Sequence, residues 1–172
     1  MPTPSWDLAI TVVFIVGIAF GYILQRDKII QTLLGVYVGL IMTQAVAGNI
    51  QHFFQGDTTL FNQVWIKANA DPFTIRALIF LGTIMLISTK ANVSSSKVKS
   101  ALSPLEIVVY SVLTTGLVIC SLFYFMPEEA RTTFVMTSRM AKLVINNYIW
   151  WITLPVIFML VSGFFGKNSS SD

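Results

Sequence analysis

The side chains that could carry out chemistry are few in this sequence and far apart. Metal sites and general bases commonly use histidine, and the chain has a single one, His52, in the aromatic stretch QHFFQ. The one cysteine, Cys120, lies in an apolar run without a histidine at similar depth to activate its thiol. The motifs HExxH, GxSxG and GxxxxGK[ST] are absent. The sequence therefore predicts no catalytic, cofactor-binding or metal-binding residue, and we expect a protein that is not an enzyme.

Composition assigns the chain to the membrane proteins. Of its 172 residues, 55% are hydrophobic and only 11% are charged, and the mean hydropathy is +0.73. These values are far from the averages of soluble domains. The balance of 11 basic against 8 acidic side chains is too small and too dispersed to indicate a nucleic-acid partner. Membrane lipids are the first partner that we expect.

Five apolar runs approach or reach the roughly 20 residues that a helix needs to cross a bilayer. They lie at about residues 8–24, 29–50, 72–87, 105–126 and 148–165. The third run is the shortest and contains Arg76, which is near enough to its start to reach the headgroups. Asp71-Pro72 and Ser103-Pro104 are capping sequences that fix where the third and fourth spans begin. The predicted fold is a single all-α, polytopic membrane domain over residues 1–172.

Two further segments have the period of an amphipathic helix. In residues 58–68 the apolar side chains, Trp65 among them, form one stripe. In residues 128–144 the apolar positions recur at three and four, with Arg131, Arg139 and Lys142 between them. We expect both helices to lie on the membrane surface. The alternative is that they bind a partner protein.

Five spans place the two termini on opposite sides of the membrane. All four tryptophans then fall on the N-terminal side, and with Arg76 we interpret them as interfacial anchors: Trp6, Trp65, Trp150 and Trp151. The turns QRDK and STKANVSSSKVKSALSP, on the other side, hold five bases close to span ends. The positive-inside rule makes these turns cytoplasmic. The expected topology has the N-terminus outside and the C-terminus in the cytoplasm.

The segment GIAFGYILQRDKIIQTLLGVYVG contains two pairs of glycines placed symmetrically about its charged centre. If QRDK is a tight turn, the first two spans form an antiparallel hairpin in which Gly17 faces Gly39. Gly21 then faces Gly35 at a second level. Glycines spaced by four lie on one helix face and allow two backbones to approach closely. The alternatives are a GxxxG contact between two molecules and the general abundance of glycine in membrane helices.

Polar side chains in the middle of the spans are hydroxyls and amides. The acids near the spans lie at their ends, so the intramembrane acid pairs of a proton relay are missing. Thr114 and Thr115 are candidates for lining a pore. Hydroxyls in membrane helices, however, commonly bond their own helix or a neighbour.

The order of these features is itself a pattern. An acidic residue precedes the first span in WDLAI, a basic turn leads directly into the second in QRDKIIQTLLGVYVG, and the third begins at an arginine in TIRALIFLG. A polar linker, a fourth span and an acidic amphipathic segment follow. Over about residues 5–147 this arrangement resembles the colicin V production (CvpA) family of bacterial inner-membrane proteins. The resemblance implies a protein of the bacterial plasma membrane linked to export of a peptide toxin.

Two classes of function remain open. The first is a non-enzymatic envelope protein that assembles with itself or with other envelope proteins and supports secretion or envelope maintenance. The second is a small oligomeric channel or transporter with its pore at a subunit interface. We favour the first, because no internal repeat or matched pair of broken spans, typical of transporters, is visible.

Overall fold

The computed structural model describes residues 6–54, 71–90 and 104–168, without the side chains of residues 24–27, 52–54, 90, 104 and 163–168. This part of the chain is built from helices, which confirms the predicted all-α class for it. They are α1 (Trp6–Phe54), α2 (Pro72–Lys90), α3 (Pro104–Phe125), α4 (Glu128–Thr137), α5 (Arg139–Asn146) and α6 (Tyr148–Asn168). The predicted surface helix at residues 58–68, with Trp65, lies outside the described residues.

Four helical stretches of the described chain are long and apolar enough to cross a membrane. They are Trp6–Ile23, Lys28–Gln51, Pro72–Thr89 and Leu105–Phe125. The pair Arg139–Asn146 and Tyr148–Ser162, bent by 64°, is a fifth crossing if it is one broken span. Four or five such helices are compatible with a multi-pass membrane protein.

The 49 residues of α1 are helical, yet its two halves lie side by side. We call Trp6–Ile23 the first arm and Lys28–Gln51 the second arm. In a straight helix, residues 21 and 29 are about 12 Å apart along the axis. A Cβ atom built on Gly21 would instead lie 2.6 Å from Cδ1 of Ile29. The chain therefore reverses direction between the arms, as the predicted hairpin requires.

Each arm packs antiparallel on a different neighbour. The first arm lies on α3: Gly21 contacts Ser111 near the start of α3, whereas Ile10 packs in one cluster with Phe123 near its end. The second arm lies on α2, where Nε2 of Gln31 donates a hydrogen bond of 3.0 Å to the carbonyl oxygen of Ile87. The first helix is thus the centre of the bundle.

The ends of these helices give a second proof of the reversal. Phe125, at the end of α3, is level with the start of the first arm. Its ring centroid lies 5.4 Å from that of Phe80 in α2, and Phe80 contacts Gly39 of the second arm. Residue 39 has therefore returned to the level at which α1 begins.

Two apolar clusters form the core. The larger joins the second arm, α2 and α3, and its buried members include Leu33, Val36, Phe80, Tyr110 and Leu117. The smaller joins the first arm, α3 and α5, through Ile10, Ile119, Cys120, Phe123, Ala141 and Val144. The outer faces of the first arm and α2 stay uncovered, since only 11% of each span window is buried. Apolar side chains on these faces suit contact with lipid.

The predicted surface helix at residues 128–144 is in fact two helices, so the prediction of one continuous helix was wrong. Ser138 has extended backbone angles (φ −128°, ψ 127°) and separates α4 from α5. Its hydroxyl accepts the N–H of Ala141 and thereby caps α5. Serine competes in this way with the helical backbone, which is why it interrupts a helix or begins one.

A proline and a tyrosine connect α6 to the second arm. Pro155 lies inside α6 and has no N–H to donate to the preceding turn. In that turn, the carbonyl oxygen of Ile152 accepts a hydrogen bond of 2.5 Å from the hydroxyl of Tyr37. The carbonyl oxygen that loses its helical partner to Pro155 is that of Trp151, four residues earlier, so Tyr37 bonds the next carbonyl of the same turn.

Candidate functional site

A cleft of about 260 Å³ lies between the two arms of α1 and α3. Its walls are mainly apolar, with valine, isoleucine and phenylalanine side chains. Four hydroxyl-bearing residues and two glycines also line it: Thr32, Ser111, Thr114, Thr115, Gly17 and Gly21. The cleft therefore brings the candidate pore-lining threonines together with two of the four predicted packing glycines.

The glycines of the first arm pack against α3. A Cβ atom built on Gly17 would lie 2.6 Å from Cγ2 of Thr115, and one built on Gly21 would lie 2.7 Å from Cβ of Ser111. Separations under 3.0 Å are too short for any real Cβ atom. Glycine at both positions therefore allows the helices to approach as closely as they do.

The glycines of the second arm pack against α2 instead. A Cβ atom on Gly39 would lie 3.1 Å from the ring of Phe80, and one on Gly35 would lie 3.4 Å from Ile87. The predicted pairing of Gly17 with Gly39, and of Gly21 with Gly35, was therefore wrong. The reversal of the chain is tighter than the symmetric pairing assumed, so Gly21 is level with Ile29 and each glycine faces a bulkier side chain.

Gly116 is a fifth close contact, which the sequence reasoning did not place among the packing residues. A Cβ atom there would overlap the indole ring of Trp151. The only signal in the sequence was a glycine in the middle of an apolar span, which is common in membrane helices. This contact packs α6 closely against α3.

Most hydroxyls of the cleft donate to their own helices. Thr114 donates to the carbonyl oxygen of Tyr110, Ser111 to that of Ile107, and Thr32 to that of Lys28, each at 2.7 Å. Ser121 and Thr43, buried elsewhere in the bundle, bond the carbonyl four residues earlier in the same way. Donors used in this way are not available to a permeating solute.

Thr115 differs from these hydroxyls. It is partly buried, its side chain lies against Gly17, and it lines the cleft. No hydrogen bond of its hydroxyl is found within the described residues. Among the hydroxyls of the cleft, it is therefore the one whose donor is not used by its own helix.

The predicted interfacial anchors occupy different environments. Trp6 and Trp150 are 51% and 59% exposed, and the rings of Trp6 and Phe134 of α4 make a T-shaped contact with centroids 4.6 Å apart. Arg76 lies one turn into α2 and is partly buried. Trp151 lies inside the bundle, on Gly116, and its indole Nε1 is buried without a partner among the described residues.

The N-terminus of α5 is held by a carboxylate from α1. One oxygen of Asp7 accepts both the hydroxyl of Ser138, at 2.5 Å, and the backbone N–H of Met140, at 3.0 Å. Free N–H groups of a first helical turn are stabilised by such acceptors. From the sequence, Asp7 was only a residue at the end of a span, because nothing local shows which distant helix it meets.

The C-terminus of α5 is held by two donors. The carbonyl oxygen of Val144 accepts the thiol of Cys120 at 3.5 Å, and that of Leu143 accepts Nδ2 of Asn147 at 2.8 Å. Cys120 is buried, so the lone cysteine acts here as a donor to the end of a helix. Both ends of this eight-residue helix are thus bonded by side chains.

The described residues offer little for bond-breaking chemistry. No three histidine, cysteine, aspartate or glutamate side chains among them are placed to hold a metal ion. His52 belongs to α1, and its side chain is outside the described part. What the described residues do form is the set of helix contacts and the apolar cleft.

No protein-family model, no curated protein and no solved structure matches the chain.

Proposed function

We propose that this chain is a non-enzymatic protein of the bacterial inner membrane that acts by assembling with itself or with other envelope proteins. The resemblance to the colicin V production family suggests a role in secretion or envelope maintenance. The main support is that hydroxyls inside the spans are used within the protein and not toward a solute: Thr114 and Ser111 donate to their own helix. In the same region, Gly17 and Gly21 allow the first arm to pack closely on α3.

A small oligomeric channel is the second candidate, and one observation favours it. Thr115 lines the cleft, and its hydroxyl has no hydrogen bond among the described residues, so it remains able to bond a solute. In an oligomer, clefts of neighbouring copies would have to join for such a path to cross the membrane.

Reconstitution into liposomes tests the two functions together. We expect ion and solute flux equal to that of empty liposomes, and energy transfer between labelled copies that rises with the number of proteins per vesicle. Thr115→Val is the matched variant, since it keeps the shape of the side chain and removes its hydroxyl. Selective flux that is lost in Thr115→Val would contradict the assembly function and support a channel.

A further inference from the structure

The outward face of α5 combines bases with apolar side chains. Arg139 and Lys142 are exposed, and Met140 and Leu143 are 43% and 54% exposed. We call these four residues the α5 surface. The opposite face of the helix is buried in the smaller cluster of the core, so the α5 surface points away from the bundle.

The helix α5 lies at the level where the spans end. Its first turn is bonded to Asp7 at the start of the first arm, and its last turn reaches Cys120, little more than one turn from the end of α3. The bend of 64° between α5 and α6 turns α5 toward the membrane plane if α6 crosses along the normal. The exposed Trp150 follows at the start of α6, and tryptophan is typical of the headgroup level.

The charges near this surface leave it positive. Beyond Glu129 the chain has no acidic residue until Asp172, and Arg131 already has a partner in Glu128, at 3.8 Å. The carboxylate of Asp7 is close enough to interact with the charge of Arg139. Its hydrogen bonds to side chain and backbone, however, come from Ser138 and Met140. Among the described carboxylates, Asp7 is the one found to interact with Arg139, so the two bases of the α5 surface exceed it in charge.

We propose that the α5 surface binds the headgroup of an anionic phospholipid. Arg139 and Lys142 face the lipid phosphate, while Met140 and Leu143 lie against the upper acyl chains, as in interfacial helices with basic polar faces. The level of the helix and its excess positive charge favour a lipid over a protein partner. This inference goes beyond the proposed function, because it holds whether the protein assembles or conducts.

Quenching by brominated lipids tests the proposal on the full-length protein in vesicles. A fluorophore on Asn146→Cys, in a Cys120→Ser background, reports the lipids next to α5. We expect brominated phosphatidylglycerol to quench it more than brominated phosphatidylcholine at equal fractions, with a preference that falls at high salt. The double variant Arg139→Gln/Lys142→Gln should lower the preference, by up to about fivefold for each base.

Arg131→Gln is the matched control, since it removes a neighbouring base that already pairs with Glu128, and it should leave the preference unchanged. Equal quenching by the two lipids in the unsubstituted protein would overturn the proposal, as would a preference that survives the double substitution. If the double variant instead loses self-association and keeps its lipid preference, the α5 surface contacts a second copy and the proposal is wrong. Equal melting temperatures of the variants show that α5 remains folded.

Discussion

The carboxylate of Asp7 accepts a hydrogen bond of 2.5 Å from the hydroxyl of Ser138, 131 positions later in the chain. The same hydroxyl accepts the N–H of Ala141, and the same carboxylate oxygen accepts that of Met140. The N-terminus of α5 is therefore capped by one residue of its own and one from the start of α1. This pair joins the beginning of the bundle to the helix that leads into α6.

Removing either member of this pair should destabilise the protein. Asp7→Ala and Ser138→Ala should each lower the free energy of unfolding in detergent by about 1 to 2 kcal/mol, as expected for the loss of a helix cap. The double variant should lose less than the sum, because the two side chains bond each other. Hydrogen exchange at the amides of Met140 and Ala141 should accelerate.

Thr132→Ala is a control for these variants, since it removes an exposed hydroxyl that bonds only the carbonyl of Glu129 in its own helix. It should change the free energy of unfolding very little. Strictly additive losses in the Asp7 and Ser138 variants, with unchanged amide exchange, would contradict a shared cap.

A methyl group at Gly17 should be destabilising although alanine favours helices. Alanine improves helix propensity by about 1 kcal/mol over glycine, but overpacking a tight contact costs about 1 to 3 kcal/mol. Because the new Cβ atom would overlap Thr115, we expect Gly17→Ala to lower the free energy of unfolding. Gly82→Ala is the matched control, since a Cβ atom there meets nothing within 4 Å, and it should be neutral or stabilising.

The partner of Gly17 can be identified by a second substitution. Thr115→Ala removes the hydroxyl and the methyl group that the new Cβ atom would meet, so it should recover part of the stability lost in Gly17→Ala. Leu40→Ala, in the core on the second arm, should give no such recovery. Equal losses from Gly17→Ala with and without Thr115→Ala would show that the first arm does not pack on α3 at this level.

The orientation in the membrane is open to chemical labelling. By the positive-inside rule, the five bases near the turns after the first and third spans predict that those turns are cytoplasmic. An impermeant maleimide should therefore react in intact inner-membrane vesicles of right-side-out orientation with Glu129→Cys, and with Thr89→Cys only after lysis. Both positions are exposed, and Cys120→Ser serves as the unlabelled background. The reverse pattern would mean that the N-terminus is cytoplasmic.

The sequence predicted the helices well because each span depends on local composition. Apolar runs and the Asp71-Pro72 start are properties of adjacent residues, and the structure has helices at these places. The break at Ser138 was missed, since the apolar period continues through it. Ser138 caps α5 at this break and donates to a distant carboxylate, Asp7, which no local pattern reveals.

The partners of the glycines were equally beyond the reach of local patterns. Symmetry about QRDK suggested that Gly21 meets Gly35, whereas Gly21 meets Ser111 and Gly35 meets Ile87. Spacing by four correctly placed each pair on one helix face. Which helix covers that face depends on how the spans are arranged. No pattern of neighbouring residues in a single sequence reports that arrangement.

The reversal of α1 is the central structural claim, and one distance tests it most directly. Spin labels at Leu8→Cys and Ile41→Cys lie on exposed positions of the two arms, in a Cys120→Ser background. A straight helix would separate these positions by about 50 Å, at 1.5 Å per residue. Two packed antiparallel arms, with axes about 8 to 10 Å apart, predict a label distance below about 25 Å in a lipid bilayer. A dominant distance near 50 Å would contradict the fold, and with it the cleft and the helix contacts that it forms.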